Sequence, residues 1–176
     1  MRIKFKKIMM TCFCSLFILF LQAQESKSDK AMIMDVLNAF MNCIKKKDSV
    51  VYYSLFHKDP VIWIGISKPI TYQNDLQRNK NASDLYNSSH HRFFRGIDAA
   101  GTEEEKFYNI QIVEDGAIAS VMFDYSFWVS GKKQNWGKEN WAMIKTKGQW
   151  KIVSVTFSIE DEKLNPEPIV YRSHDF

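Results

Sequence analysis

Several catalytic signatures are missing from this sequence of 176 residues. It holds no G-x-S-x-G elbow, no P-loop and no dinucleotide fingerprint, which argues against acyl-transfer, nucleotide and nicotinamide chemistry of the familiar kinds. No H-x-x-x-H or C-x-x-C spacing occurs, and His57 and His174 are too scattered to suggest a ligand set, so neither a metal nor a cofactor is expected. No internal repeat and no low-complexity segment is present. Only one long apolar run exists, Ile8 to Leu21, and it is shorter than the roughly 20 residues a membrane-spanning helix needs.

That run belongs to MRIKFKKIMMTCFCSLFILFLQAQ, in which four basic residues precede the apolar stretch and small and polar residues end it. This is the layout of a secretory signal peptide over residues 1–24, cut after Ala23 or Gln24, with export to the periplasm or beyond and no stable membrane anchor afterwards. Arg2, Lys4, Lys6 and Lys7 leave with it, so the 24 basic residues become 20, against 20 acidic ones. The basic balance therefore says nothing about nucleic acid. Cys12 and Cys14 leave too, and Cys43 alone remains, which excludes an internal disulfide. Cys43 has no basic or His partner near it in sequence and reads as a small buried hydrophobe. Stability must come from a packed core, and the 152 residues left when 24 are removed from 176 suit one domain.

From Ser28 to Lys47 the residues Ile33, Leu37, Phe40 and Ile44 recur at three- and four-residue steps, the mark of one apolar helix face. Ser26 or Ser28 can cap its start, and Lys45 to Lys47 suit the negative end of the helix dipole. Asp48 caps a short second helix through Tyr52, Tyr53 and Phe56. Val61 to Ile66 reads as a strand and Ser67 to Ala82 as a poorly patterned loop. A third helix is expected from Ser83 to Gly96. Beyond a charged loop holding Glu103 to Lys106, the segments Phe107–Val113, Ala117–Trp128, Trp136–Thr146 and Gln149–Ile159 form an antiparallel meander. The domain is expected over residues 25–160, with an extended tail over 161–176. Asn81-Ala82-Ser83 and Asn87-Ser88-Ser89 match the glycosylation acceptor pattern.

A hairpin closed at Lys147-Gly148 pairs Trp141 with Ser154 and Glu139 with Thr156. A three-residue loop at Gly131 to Lys133 pairs Tyr125 with Glu139 and Phe123 with Trp141. One face then carries Phe123, Tyr125, Glu139, Trp141, Trp150, Ser154 and Thr156. The other carries Met122, Val153, Val155 and Phe157, more apolar than a solvated surface needs, which suggests a homodimer contact. Within the first face Glu139 stands out. A carboxyl in apolar surroundings has a raised pKa and can move a proton near neutral pH, or it can be a satisfied structural group.

The stretch YSFWVSGKKQNWGKENWAMIKTKGQWKIVSV, following helix, helix, strand and helix, resembles the nuclear transport factor 2-like (NTF2-like) superfamily, in particular its small bacterial members of the SnoaL-like and DUF4440 kind. The resemblance implies an α+β cone, with three N-terminal helices packed on a curved antiparallel sheet and a pocket between them. Many relatives end in a pattern like W-K-I-x-H-x-H-x-S with the two His in the pocket. Trp150, Ile152 and Ser158 match it here, and Ser154 and Thr156 stand where the His would be. The resemblance also implies a role like that of the ketosteroid isomerases, with Glu139 as proton-transfer group and Tyr125 as hydrogen-bond donor. The expected ligand is a small, largely apolar molecule, held by Trp63, His91, Phe94, Phe123, Trp141, Trp150, Ser154 and Thr156. The aromatic content of 14% favours rigid walls for such a cavity. Isomerase, dehydratase or hydrolase chemistry and a homodimeric interaction module are the alternatives.

Overall fold

The computed structural model describes residues 27–58, 60–97 and 101–168. The leader expected over residues 1–24, His174 and the last part of the expected tail lie outside them. Helix α1 spans Asp29–Lys46 and helix α2 Ser49–Ser54. Ser28 Oγ accepts from Ala31 N at 3.3 Å, and Asp48 Oδ1 from Val51 N at 3.0 Å, so each helix begins on a side chain that satisfies an otherwise unpaired N–H. Ile33, Leu37, Phe40, Cys43 and Ile44 form the buried stripe of α1, as their spacing predicts. Burial pushes the Cys43 thiol up to about 11, which agrees with an inert role.

Strand β1 (Ile62–Ser67) follows, then α3 (Pro69–Arg78), β2 (Leu85–Asn87), α4 (His90–Arg95) and the long strands β3 (Glu103–Glu114), β4 (Ile118–Val129), β5 (Lys132–Thr146) and β6 (Gln149–Asp161). They form one six-stranded sheet in the order β2-β1-β6-β5-β4-β3, antiparallel except where β1 runs parallel to β6. Helix α1 lies across the inner face against β3 and β6, and bulges in β3, β5 and β6 bend the sheet toward it.

Three local expectations are corrected. The stretch from Ser67 to Ala82 is not a loop, because α3 occupies most of it. Pro69 supplies the preset first turn, and Glu160, far away in sequence, supplies the missing cap by accepting from Thr71 N at 3.0 Å and Thr71 Oγ1 at 2.6 Å. The helix expected from Ser83 is mostly strand and turn. Leu85 to Asn87 pair with Ile66 to Ile64, and α4 starts only at His90, where Ser89 Oγ accepts from Arg92 N at 3.1 Å. Finally, Glu103 to Lys106 are not a charged loop but the opening of β3, paired with Val129 to Ser126.

The register between the long strands differs from expectation, with unequal consequences. Ser130 and Gly131 both have positive φ and close the β4–β5 hairpin in two residues. An extra residue in β5, Gln134, then moves the register by one, so Phe123 faces Glu139 and Tyr125 faces Gly137, two residues from the expected partner, which leaves every side chain on its expected face. In β6 an extra residue, Val153, intrudes between the pairs Met143–Ile152 and Ala142–Ser154. Everything after it is turned over. Val155 is fully buried and Phe157 points inward, whereas Ser154 pairs with Ala142, and Thr156, exposed, pairs with Asn140 on the outer face. The expected outward set of Met122, Val153, Val155 and Phe157 thus loses Val155 and Phe157. The exposed apolar side chains of the sheet instead include Ile62, Ile64 and Ile66 of β1, Val113 of β3, and Ile118 and Met122 of β4.

The outer face also holds the start of the expected tail. Trp136 Nε1 donates to Asn165 O at 2.9 Å, and the Glu167 carboxylate accepts from Tyr108 OH and pairs with Lys133.

Candidate functional site

Two acids sit on the inner face of the sheet, Glu139 on the central strand β5 and Glu105 on the edge strand β3. Glu139 is 5% exposed and lies between Phe123 of β4 and Phe157 of β6, and Glu105 is 6% exposed and lies opposite Phe127. Tyr125, next along β4, has one acid on either side. Trp141 Nε1 donates to Glu139 Oε2 at 2.7 Å. Oε2 of Glu105 is buried with no hydrogen-bond partner, and among the described residues neither carboxyl has a cationic partner. Burial pushes Glu139 up to about 8, against the opposing pull of the Trp141 N–H. Glu105 is driven well above the carboxylate range, by burial first and by the Glu139 charge second. The phenol of Tyr125 is raised by the same causes, so its proton is held.

Around these acids runs a circuit of rings. Tyr125 and Phe157 have centroids 6.5 Å apart, Phe157 and Trp63 5.9 Å, Trp63 and Phe93 5.2 Å, and Phe93 and Phe127 6.3 Å. Phe127 and Tyr125 close it as inward neighbours two residues apart on β4. Phe93, Phe127 and Phe157 are only partly buried, so the circuit reaches the surface, whereas both acids are buried. Gly65 makes room for one member, since a Cβ there would stand 2.5 Å from the Phe157 ring.

Three solved structures have this architecture. An NTF2-like protein from Cytophaga hutchinsonii superposes with a TM-score of 0.54 at 11% identity, covering 76% of this chain and 99% of that one. An NTF2-like protein of unknown function from Shewanella oneidensis gives 0.53 at 15% identity, covering 74% and 99%. The fold is NTF2-like. A protein of unknown function with a cystatin-like fold from Nostoc punctiforme matches at 0.52 with 13% identity over 75% of this chain and 91% of that one. No protein-family model matches the sequence, and no curated protein does.

The NTF2-like sheet brings some of the expected site residues together and separates others. Trp63, Phe123, Tyr125, Glu139 and Trp141 share one region. Trp141 is completely buried among Phe40, Phe107 and Phe123 at centroid distances of 5.0, 5.5 and 5.1 Å, so its ring is core and only its N–H serves the acid. Tyr125 OH donates to Ser158 O at 3.0 Å, which commits the proton expected to serve a ligand.

Other expected residues leave the site. Trp150 lies at the far end of β6, where its indole donates to Asp29 Oδ1 at 2.9 Å and ties the hairpin to the start of α1. Ser154 and Thr156 are removed by the bulge. His91 is exposed and rests on Tyr53, while His90 is the buried histidine, stacked on Phe56 at 4.3 Å. Burial, then the neighbouring His91, lowers His90 to about 4. Phe94 stacks on Tyr52 at 4.3 Å, and it is Phe93 that joins the circuit. Glu105, Phe93 and Phe157 were not expected here, and Phe127 joins from the same face of β4 as Phe123 and Tyr125. The sequence does carry a signal for Glu105, because a two-residue period extended back from Phe107 puts positions 105 and 103 on its face.

Proposed function

We propose that this NTF2-like domain binds a small, largely apolar molecule against the aromatic circuit and that Glu105 and Glu139 are the polar groups it meets. The observation that carries this reading is the unpartnered, buried Glu105 oxygen beside a second buried acid. An unsatisfied buried polar group costs about 1–3 kcal/mol, which core packing alone gives no reason to retain. A thermal-shift screen with steroids, aromatic polyketides, fatty acids and short terpenoids tests it. A ligand at ~100 times its dissociation constant adds about 2.7 kcal/mol, a rise of roughly 5–10 °C for a domain of this size. Phe127→Leu and Phe157→Leu are expected to reduce that rise. If no class shifts the transition, or if the rise survives both changes, the reading is wrong.

A second reading, proton transfer of the isomerase, dehydratase or hydrolase type, draws support from the Glu139 acidity near 8, which suits a base or acid at neutral pH. With the Tyr125 proton held by Ser158 O, the uncommitted donor in the circuit is the Trp63 N–H. Turnover of a screening hit, abolished in Glu139→Gln while binding persists, is its expected signature. Binding without turnover in the native chain excludes it for that ligand.

Export belongs to the same proposal and draws support from the layout of residues 1–24. N-terminal sequencing of protein recovered from a bacterial periplasm or medium is expected to begin at Gln24 or Glu25. A terminus at Met1 in that fraction refutes cleavage.

A further inference from the structure

Resting on the ligand-binding reading above, we infer that the ligand is an organic cation: a quaternary or protonated amine whose charged head enters the aromatic circuit beside Glu139 and Glu105. The argument begins with size. Four edges of the circuit run from 5.2 to 6.5 Å, and a regular five-membered circuit with sides of about 6 Å sets each ring about 5 Å from its centre. That lies inside the roughly 6 Å over which a cation is attracted to an aromatic face.

The charge inventory agrees. Glu139 lies on β5 between the strands that carry Tyr125 and Phe157, Glu105 lies across from Phe127 on β3, and among the described residues no Lys, Arg or protonated His balances either one. Glu103, also inward on β3, faces Lys47 at 3.9 Å, so that lysine is engaged one residue pair away. The other titratable groups turned toward the acids are Tyr125 from β4 and Tyr52 from α2, both neutral, with Tyr52 donating to His90 O at 3.2 Å. A cation is the one ligand charge these surroundings favour.

Two unpartnered atoms, one of them on Trp63 and so independent of the acids, point to an occupant. Trp63 is 4% exposed, belongs to the circuit, and has an indole N–H with no acceptor. Glu105 Oε2 is equally buried and equally unpartnered. A head group in the circuit gives the second atom a cationic neighbour, and an acceptor on the ligand body supplies the partner of the first.

Binding is coupled to a proton. An acid held near 8 by burial is mostly protonated at pH 7, and a cation placed beside it drives the proton off. Net charge is conserved: one cation enters and one proton leaves to solvent. The affinity for a permanent cation therefore rises with pH, by up to tenfold per unit, and levels off above about 8.

The experiment compares phenyltrimethylammonium with tert-butylbenzene, its uncharged carbon analogue, by titration calorimetry with the full folded chain in phosphate and in Tris at pH 7 and 8. The two buffers differ in ionisation enthalpy, so proton release appears as a buffer-dependent heat. The inference expects the cation to bind at least tenfold tighter than the analogue with release of a proton, and expects Glu139→Gln to remove that preference without lowering Tm. Equal or tighter binding of tert-butylbenzene overturns the cation while leaving the apolar-ligand reading intact. Failure of both probes alongside a hit in the thermal screen also overturns the cation alone. Failure of both probes with no hit in the screen ends both readings. Cation binding unchanged in Glu139→Gln and in Glu105→Gln places the probe elsewhere and overturns the assignment.

Discussion

Trp141→Ala is expected to lower the folding free energy by about 3–5 kcal/mol through the lost ring and the cavity it leaves, and by about 1–3 kcal/mol more for the carboxyl it abandons. The ring is completely buried and touches Phe40, Phe107 and Phe123, which come from α1, β3 and β4, so its removal loosens three elements at once. Its N–H is the hydrogen-bond donor to the Glu139 carboxyl. Trp141→Phe separates the two contributions, because it keeps most of the ring and deletes only the donor. Since that donor holds the Glu139 acidity down, the Phe variant is expected to raise it further. Urea unfolding of both variants, with a carboxyl titration by infrared spectroscopy, checks the pair of effects. A loss under 2 kcal/mol in the Ala variant would show that this part of the core is loosely packed.

The second large effect is a loss of stability with rising pH. Glu139 has a folded-state pKa near 8 against an ordinary value of about 4.3, and Glu105 is displaced in the same direction. Above the unfolded value the native state binds protons that the unfolded chain has released, so stability falls as pH rises through this range and flattens above the folded value. His90 acts oppositely. Its folded value near 4 lies below the ordinary 6.5, so its contribution is lost on acidification between those values and it offsets the acids there. From about pH 6.5 to 8 the acids act without that offset. A fall approaching about 1.4 kcal/mol per pH unit for each proton retained is expected in that window. Glu139→Gln keeps the shape and removes the proton, so it is expected to flatten the slope and to be more stable than the native chain at pH 8. A flat native profile from 6.5 to 8 would mean that the acids are hydrated or paired.

Most of the architecture is legible in the sequence because it is written in local periodicity. The stripe of α1, the caps at Ser28 and Asp48, and the turn at Lys147-Gly148 depend on residues within one or two turns of each other. What escapes is long-range. Helix α3 has no cap of its own and takes one from Glu160, 89 residues on. Leu85 to Asn87 become strand because β1 is there to pair with them. Glu139 is recognisable as an acid within an apolar pattern, but its companion is disguised, since Glu103 to Lys106 have the composition of a solvated loop. Only pairing with β4 turns that run into alternating inward and outward positions. Phe93 and Phe94, adjacent on one short helix, differ in role by a rotation of about 100° that a six-residue helix does not define in sequence.

Val153 works on the sheet as a frameshift works on a message. Upstream of it, β6 is read with even-numbered residues inward, and downstream with odd-numbered ones, so the same dozen residues spell an aromatic interior instead of a hydroxyl-lined one. Phe157, a ring of the circuit and the neighbour of Glu139, owes its inward position to that single extra residue. The chemical character of the interior is therefore carried as much by spacing as by composition, and homologous chains that differ by one residue in this strand would present different interiors with nearly identical letters.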